Sequence, residues 1–203
     1  MSSAKFDKDY YENGVAKKVS GYENFHYMPT RSYEEAIELT KIFSKEDKIL
    51  DLGCAKGYLV HTLVQLGFNA WGEDISDYAI SRCHQPIKGR IGKPKHAWLE
   101  YDSIICKDVL EHVPEDEILE LLSKLKKRCK KALFVIPLGD NDKFRIREYE
   151  MDITHVTKKD EDWWINKLRS AGFSINQFSY KLGAIKKKWT SKYPYGNGFF
   201  IVE

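Results

Sequence analysis

No apolar run in the 203 residues approaches the ~18 needed to cross a bilayer, so no membrane-spanning helix is expected. The opening segment MSSAKFDKDYYENG also lacks the apolar stretch of a secretory leader. Cysteine is scarce: Cys54, Cys83, Cys106 and Cys129 stand apart with no C-x-x-C pair, which leaves no zinc-site spacing. Cys54 and Cys106 lie in apolar runs that read as buried strand ends, and a reducing, cytoplasmic setting is the expectation. Charge of one sign is lacking too. Lys plus Arg number 33 and Asp plus Glu 30, a net +3, so charge alone implies neither nucleic acid nor a membrane surface as partner. Internal repeats and low-complexity stretches are missing. What remains is a chain of 42% hydrophobic residues, enough for the core of a single domain over residues 1–203.

Within that domain, residues 1–31 are aromatic-rich and irregular, with Tyr10, Tyr11, Tyr22, Phe25 and Tyr27 among charges and glycine. Ser32 and Glu35 have capping-box spacing and predict a helix from Ser32. From Lys48 onward, strand and helix signals alternate. Strands are expected at Lys48–Leu52, Asn69–Glu73, Ser103–Cys106 and Ala132–Ile136. Helices are expected at Tyr58–Leu66 (stopped by Gly67), after Ser76 through Cys83, at Pro114–Lys130, and from Thr157 through Ala171. Ser174–Tyr180 and Gly198–Val202 read as two closing strands with no helix between them. Alternation of this kind implies an α/β fold, a doubly wound, mostly parallel sheet with an antiparallel last strand. Lys124, Lys126, Lys127, Arg128, Lys130 and Lys131 end a helix that opens with Glu115, Asp116 and Glu117. Acids at the start and bases at the end suit the helix dipole, so a solvated face is expected there rather than a nucleic-acid site.

The segment richest in chemistry is Lys48–Ser76. A strand ending in Asp51-Leu52 runs into Gly53-Cys54-Ala55-Lys56-Gly57 and directly into a helix, where free N–H groups meet a ligand closely. About twenty residues on, Glu73 and Asp74 end the second strand, where a carboxylate can hold ribose hydroxyls. The small residues fall at 53, 55 and 57, not in the dinucleotide pattern, and Asp51 would repel a pyrophosphate while suiting an ammonium or sulfonium. ILDLGCAKGYL followed by AWGEDIS resembles the first motif and second-strand acid of class I S-adenosylmethionine-dependent methyltransferases. DSIICKDVLEHV is similar to the fourth strand and its loop, and THVTKKDEDWWINKLRSAGF to the late helix. The resemblance implies a seven-stranded Rossmann-like sheet with S-adenosyl-L-methionine over the first strands. By position it places Asp51, Gly53, Cys54, Ala55 and Gly57 along the methionine and ribose. Asp74, in preference to Glu73, falls on the ribose hydroxyls, Ile75 on the adenine, and Lys107, Asp108 and Val109 on the cofactor's edge. The sequence departs from the family at Ile87–Leu99, which carries no acid or amide for the adenine amino group and leaves that contact to backbone.

Methyl transfer is a displacement in which alignment and desolvation do most of the work, and a hydroxyl acceptor gains from a general base. His155, in Asp152-Ile153-Thr154-His155, is the first candidate and His112 the second. Asp108-x-x-Glu111-His112 with a distant His155 also resembles the metal pattern of small-RNA 3′-end methyltransferases, its first part that of ubiquinone-pathway O-methyltransferases. A metal is left open, since the string is widespread and an aspartate stands where those families have glutamate. Residues 1–31 and 183–196 are expected to cover the site as lid and substrate loop, with Lys186, Lys187, Lys188, Trp189 and Tyr193 offered to a phosphate or nucleotide-sugar. With no appended recognition domain, the expected acceptor is a small molecule, such as a sugar or glycan precursor. The alternatives are a nucleic-acid methyltransferase and a non-catalytic S-adenosylmethionine-binding partner protein; oligomeric state is left open.

Overall fold

The computed structural model describes residues 5–94 and 100–203. The first residues of the expected lid and the end of the Ile87–Leu99 stretch lie outside the described residues. The main strands are Lys48–Leu52 (β1), Asn69–Glu73 (β2), Ile91–Gly92 (β3), Ser103–Lys107 (β4) and Lys131–Pro137 (β5). A small ribbon, Gly139–Asp140 (β6) and Lys143–Phe144 (β7), follows, and Ile175–Ser179 (β8) and Asn197–Val202 (β9) close the chain. Seven strands form one sheet in the order β3-β2-β1-β4-β5-β9-β8. Pairings from β3 to β5 are parallel, while β9 lies antiparallel between β5 and β8. The expected fold, its antiparallel last strand and the hairpin-like edge are all present.

The middles of the central strands are mostly apolar because both faces are covered. Alternate residues go to opposite layers. Leu50, Ile104 and Phe134 pack with Trp164 and Leu168, beneath Glu115–Lys126 (α6) and Glu161–Ser170 (α7). Ile49, Ile105 and Val135 pack with Ala36, Leu39 and Leu63, beneath Pro29–Leu39 (α3) and Tyr58–Gln65 (α4). The shorter helices are Lys8–Glu12 (α1), Gly14–Lys17 (α2), Asp77–Ser81 (α5) and Lys187–Lys192 (α8).

Several local expectations are corrected. Pro29 opens α3, because a proline loses nothing at a first helical position, and Ser32 sits inside the helix with its N–H on the Met28 carbonyl. Helix α7 is capped by Asp160, whose carboxylate accepts from Trp163 N at 2.8 Å, whereas the Thr157 hydroxyl is buried and donates to the Val113 carbonyl. Ser76 does cap α5, accepting from Ala79 N at 3.0 Å, but that helix ends at Ser81. The closing strands are separated by α8. Arg128 leaves the solvated face: it is buried and grips Glu73 through two bonds of 2.8 and 3.1 Å.

That pair carries a stability prediction. Arg128→Met should destabilise the protein by ~3–5 kcal/mol, because it strands a buried carboxylate, and adding Glu73→Leu should recover much of the loss. Urea unfolding of the two single variants and the double tests this; additive losses would refute it.

Candidate active site

The cavity lies where β1, β2 and β4 end, at the carboxyl edge of the sheet, and measures about 890 Å³. β1 ends in the turn Gly53–Gly57. Gly53 and Gly57 have φ of +75 and +77°, and Ala55 takes the same left-handed region at +49°. Side chains resist this conformation, so the turn is held rather than merely allowed. Gly53 N and Cys54 N both donate to the Glu73 carbonyl, and the Asp74 carboxylate accepts from Ala55 N and Ser76 N, each at 2.7 Å. The loop after β1 and the end of β2 are therefore one buttoned unit.

Of the residues expected to hold cofactor, Asp51, Gly53, Cys54, Ala55, Asp74, Ile75, Lys107, Asp108 and Val109 line the cavity together. Gly57 does not. It stands behind the loop, where a Cβ would meet Ile91 Cδ1 at 1.9 Å and Ile87 Cδ1 at 2.6 Å; its glycine serves turn and packing. Burial raises the Asp51 carboxyl to about 7 against the pull of Lys107, and burial also raises Asp74. Asp108 follows the sharp end of β4 with φ +57°. Burial pushes its carboxyl up, but the ammonium of Lys186, which is ion-paired to it, and Lys107 hold it below its usual range. Lys107 also bonds Glu35 at 2.6 Å, and Arg31 meets the same carboxylate at 3.2 Å.

His112 lies on the cavity wall, and His155 stands behind it with ring centres 4.6 Å apart. The hydrogen bonds fix both tautomers. The Thr154 hydroxyl donates its one hydrogen to Asp152 Oδ1 (2.5 Å), so at 2.7 Å from His112 Nδ1 it must accept. His155 Nδ1 lies 2.8 Å from the Tyr149 carbonyl, which can only accept. Each ring therefore carries its proton on Nδ1 and a bare lone pair on Nε2. Burial lowers both imidazoles, His112 to about 4 with help from His155, which keeps them neutral near pH 7. Nε2 of His155 sits 4.0 Å from Glu111 Oε1 and 3.8 Å from Asp152 Oδ2. Glu111 is 1% exposed and neither carboxylate oxygen has a hydrogen-bond partner among the described residues. One ligand atom each from Glu111, His112 and His155 lie within 4.8 Å of one another.

The segment 5–28 lies across this edge, and Phe6, Tyr10, Tyr11, Tyr22 and Phe25 form one wall of the cavity. Residues 183–196 behave otherwise than expected. They do not line the cavity; Lys186 is buried on Asp108, Lys187 and Lys188 are exposed, and Trp189 packs on Tyr149. Asp152 and Thr154 went unassigned in the sequence although they sit in the same string as His155. A carboxylate three residues before a histidine was the available signal. Nothing in the sequence marks Lys186 as buried.

A methyltransferase-domain family model matches residues 25–177. The mitochondrial ubiquinone biosynthesis O-methyltransferase of Schizosaccharomyces pombe is 25% identical over 202 residues, covering 79% of this chain and 69% of that protein. The magnesium-protoporphyrin O-methyltransferase of Synechocystis is 27% identical over 97 residues, 43% of this chain and 42% of that one. The crystal structure of the Synechocystis magnesium protoporphyrin IX methyltransferase with bound SAH superposes with a TM-score of 0.63 at 17% identity, covering 98% of this chain and 92% of the other. A TehB-like SAM-dependent methyltransferase from Corynebacterium glutamicum gives 0.62 at 15%, covering 94% and 91%.

The unpartnered Glu111 generates a prediction on stability. Burial and the neighbouring Asp108 push the Glu111 carboxyl well above its usual range against the pull of Lys186, so folding opposes its ionisation and Glu111→Gln should raise stability at pH 8 by ~1–3 kcal/mol. Chemical denaturation at pH 8 measures this, and a less stable variant would show that the carboxylate is compensated after all.

Proposed function

The chain belongs to the methyltransferase-domain family, and from that premise we propose that it transfers the methyl group of S-adenosyl-L-methionine to a hydroxyl of a small molecule. The observation that carries this reading is the convergence of Gly53, Cys54, Ala55, Asp51, Asp74 and His112 on one cavity, with His155 directly behind His112. The turn and Asp74 suit the ribose end of the cofactor. Asp51 suits its ammonium, and Ile75 and Val109 offer apolar faces to the adenine. A volume of about 890 Å³ leaves room for an acceptor beside the cofactor. The tyrosine wall provides faces against which a sugar ring or a planar acceptor stacks, and the relatives' O-methyltransferase names favour oxygen as the acceptor atom. Sugars and glycan precursors are the finer class we propose. Segment 5–28 acts as the lid that keeps water from the sulfonium.

For the proton, the geometry favours His112 as the group nearest the acceptor, with His155 behind it. A specific observation supports a second reading, in which the bare Nε2 atoms and the orphaned Glu111 carboxylate hold a divalent cation that binds the acceptor oxygen. A turnover assay with candidate acceptors separates the two. On the first reading His112→Ala loses about 10²–10⁴ in turnover and a chelator has no effect. Chelator-sensitive activity restored by Mg²⁺ or Mn²⁺ would establish the second. A fully active His112→Ala enzyme would dismiss both.

Asp51 makes cofactor affinity depend on pH. Burial pushes its carboxyl up to about 7, while the cationic cofactor prefers the ionised form. Binding should therefore release a proton. Affinity should rise by up to ~10-fold per pH unit below 7 and level off above it. Calorimetry in buffers of different ionisation heat reads the proton, and Asp51→Asn should flatten the profile. A steep profile in that variant would assign the proton elsewhere.

A further inference from the structure

Lys56 stands in the middle of the turn after β1, between Ala55 and Gly57 in their left-handed conformations. Cys54 and Ala55 line the cavity, but Lys56 does not. Its side chain is 8% exposed and reaches the N-terminal segment instead. A lysine so buried needs acceptors close by. The ammonium donates to Glu12 Oε1 at 2.5 Å and to the Phe25 carbonyl at 2.6 Å, residues 44 and 31 positions away. The Phe25 and Tyr78 rings flank it, with centres at 5.7 and 5.9 Å. These two acceptors belong to the two ends of one loop. Phe25 N donates to the Tyr11 carbonyl at 2.9 Å and Asn24 N to the Glu12 carbonyl at 3.0 Å, which draws residues 11–12 and 24–25 together as a neck. Gly21, Tyr22 and Glu23 of the loop between them line the cavity, and the Tyr22 ring packs on Tyr11 and Phe25 at 6.1 and 4.9 Å. Tyr78, on α5 just after Asp74, adds its hydroxyl to Glu12 at 2.9 Å.

We propose that Lys56 is a positioning residue: it clasps the neck of the cap loop to the turn after β1, which holds the tyrosine wall over the cavity and retains whatever is bound there. One ammonium bridges both sides of the neck, so the loop is fastened at its base. Its far end makes a longer bond to the stretch after β5, Ile153 N on the Val19 carbonyl at 3.3 Å. A loop held fast at the base and lightly at the tip opens at the tip, and the clasped neck is its hinge. Without the ammonium, Glu12 loses its cation and the Phe25 carbonyl a donor, two charge-assisted bonds at once. The neck keeps its own backbone bonds and the sheet loses nothing, so the loss falls on the cap alone.

This inference rests on the proposed methyltransferase reading for the identity of the ligand. Lys56 lies outside the cavity lining, so its substitution reaches a bound nucleoside only through the cap and the turn. The coupling is reciprocal. A ligand that settles the turn and the tyrosine wall steadies the neck, and a steadied neck slows the ligand's escape.

Two readouts on the full-length protein test this. The first is amide hydrogen exchange without ligand. Lys56→Met should speed exchange across residues 11–25 by about 10–100-fold, while the amides of β1, β4 and β5 keep their wild-type rates. A general packing role would instead spread faster exchange into the sheet. The second is the dissociation rate of S-adenosylhomocysteine, which Lys56→Met should raise by ~10-fold or more. Glu12→Gln should act in the same direction, and Lys56→Met/Glu12→Gln should be little looser than Lys56→Met alone, because both changes break one clasp. Should Lys56→Met fail to fold, Glu12→Gln carries both readouts from the cap side. Wild-type cap exchange in a folded Lys56→Met protein would overturn the proposal, as would a loosened cap that leaves S-adenosylhomocysteine dissociation unchanged. A wild type that does not bind S-adenosylhomocysteine would count against the proposed function, and the ligand-free exchange comparison would still decide the clasp.

Discussion

The structure is organised around one electrostatic constraint, the gathering of carboxylates at the carboxyl edge of a parallel sheet. Asp51, Asp74, Glu111 and Asp152 are buried there, with Glu35 beside them and Asp108 half-buried. Isolated charges in such a place cost several kcal/mol each unless they are paired or hydrogen-bonded. Nearly every long-range polar contact near the cavity answers that cost. Lys107 and Arg31 meet Glu35, Lys186 comes from the far end of the chain to meet Asp108, and backbone N–H groups meet Asp74. At two groups burial prevails over the nearby cations. Asp51 carries a raised carboxyl and Glu111 has no partner among the described residues. These are the positions where a cationic cofactor, a proton or a metal ion would supply what the fold withholds.

The second organising feature is that the site is assembled from distant parts of the chain. The sheet supplies the Gly53–Gly57 turn and the fourth-strand turn. The histidine pair sits on the stretches after β4 and β5, outside the sheet, where loops vary without disturbing the core. The cap then spans the gap, with Glu12 tied to Lys56 on one side and Tyr10 to Asp152 on the other. A segment bonded to both halves cannot move without changing both. The cap thus ties the two halves of the site together.

The relatives share this sheet at low identity, and the shared part is the part that sequence patterns describe best. The likeness to solved methyltransferases runs over nearly the whole chain at 15–17% identity. Packing requires only apolar residues at the right alternation, so identity drifts while the fold holds. The histidine side of the cavity is governed by individual hydrogen bonds and owes less to that common pattern.

How much could be read in advance follows the range of the interactions involved. The strands at Lys48–Leu52 and Asn69–Glu73, the turn at Gly53–Gly57 and the cap at Ser76 were legible because each is decided by neighbours within a few residues: apolar runs, positive φ, an oxygen three residues ahead of an N–H. The start of α3 was misplaced because Pro29 at a first helical position competed with a capping box. The basic end of α6 was read as uniformly solvated because helical spacing does not say that Arg128 turns inward to Glu73, 55 residues away. The sequence by itself determined the alternating α/β order, the glycine turn after the first strand and the candidate histidines. Only the tertiary structure decided that Gly57 stands behind the loop and that Lys186 is buried on Asp108. It alone decided that Tyr10 and Thr154 meet on Asp152, because a hydrogen bond between residues 142 positions apart leaves no trace in local pattern. It exists only once the sheet has brought its two ends within 2.8 Å.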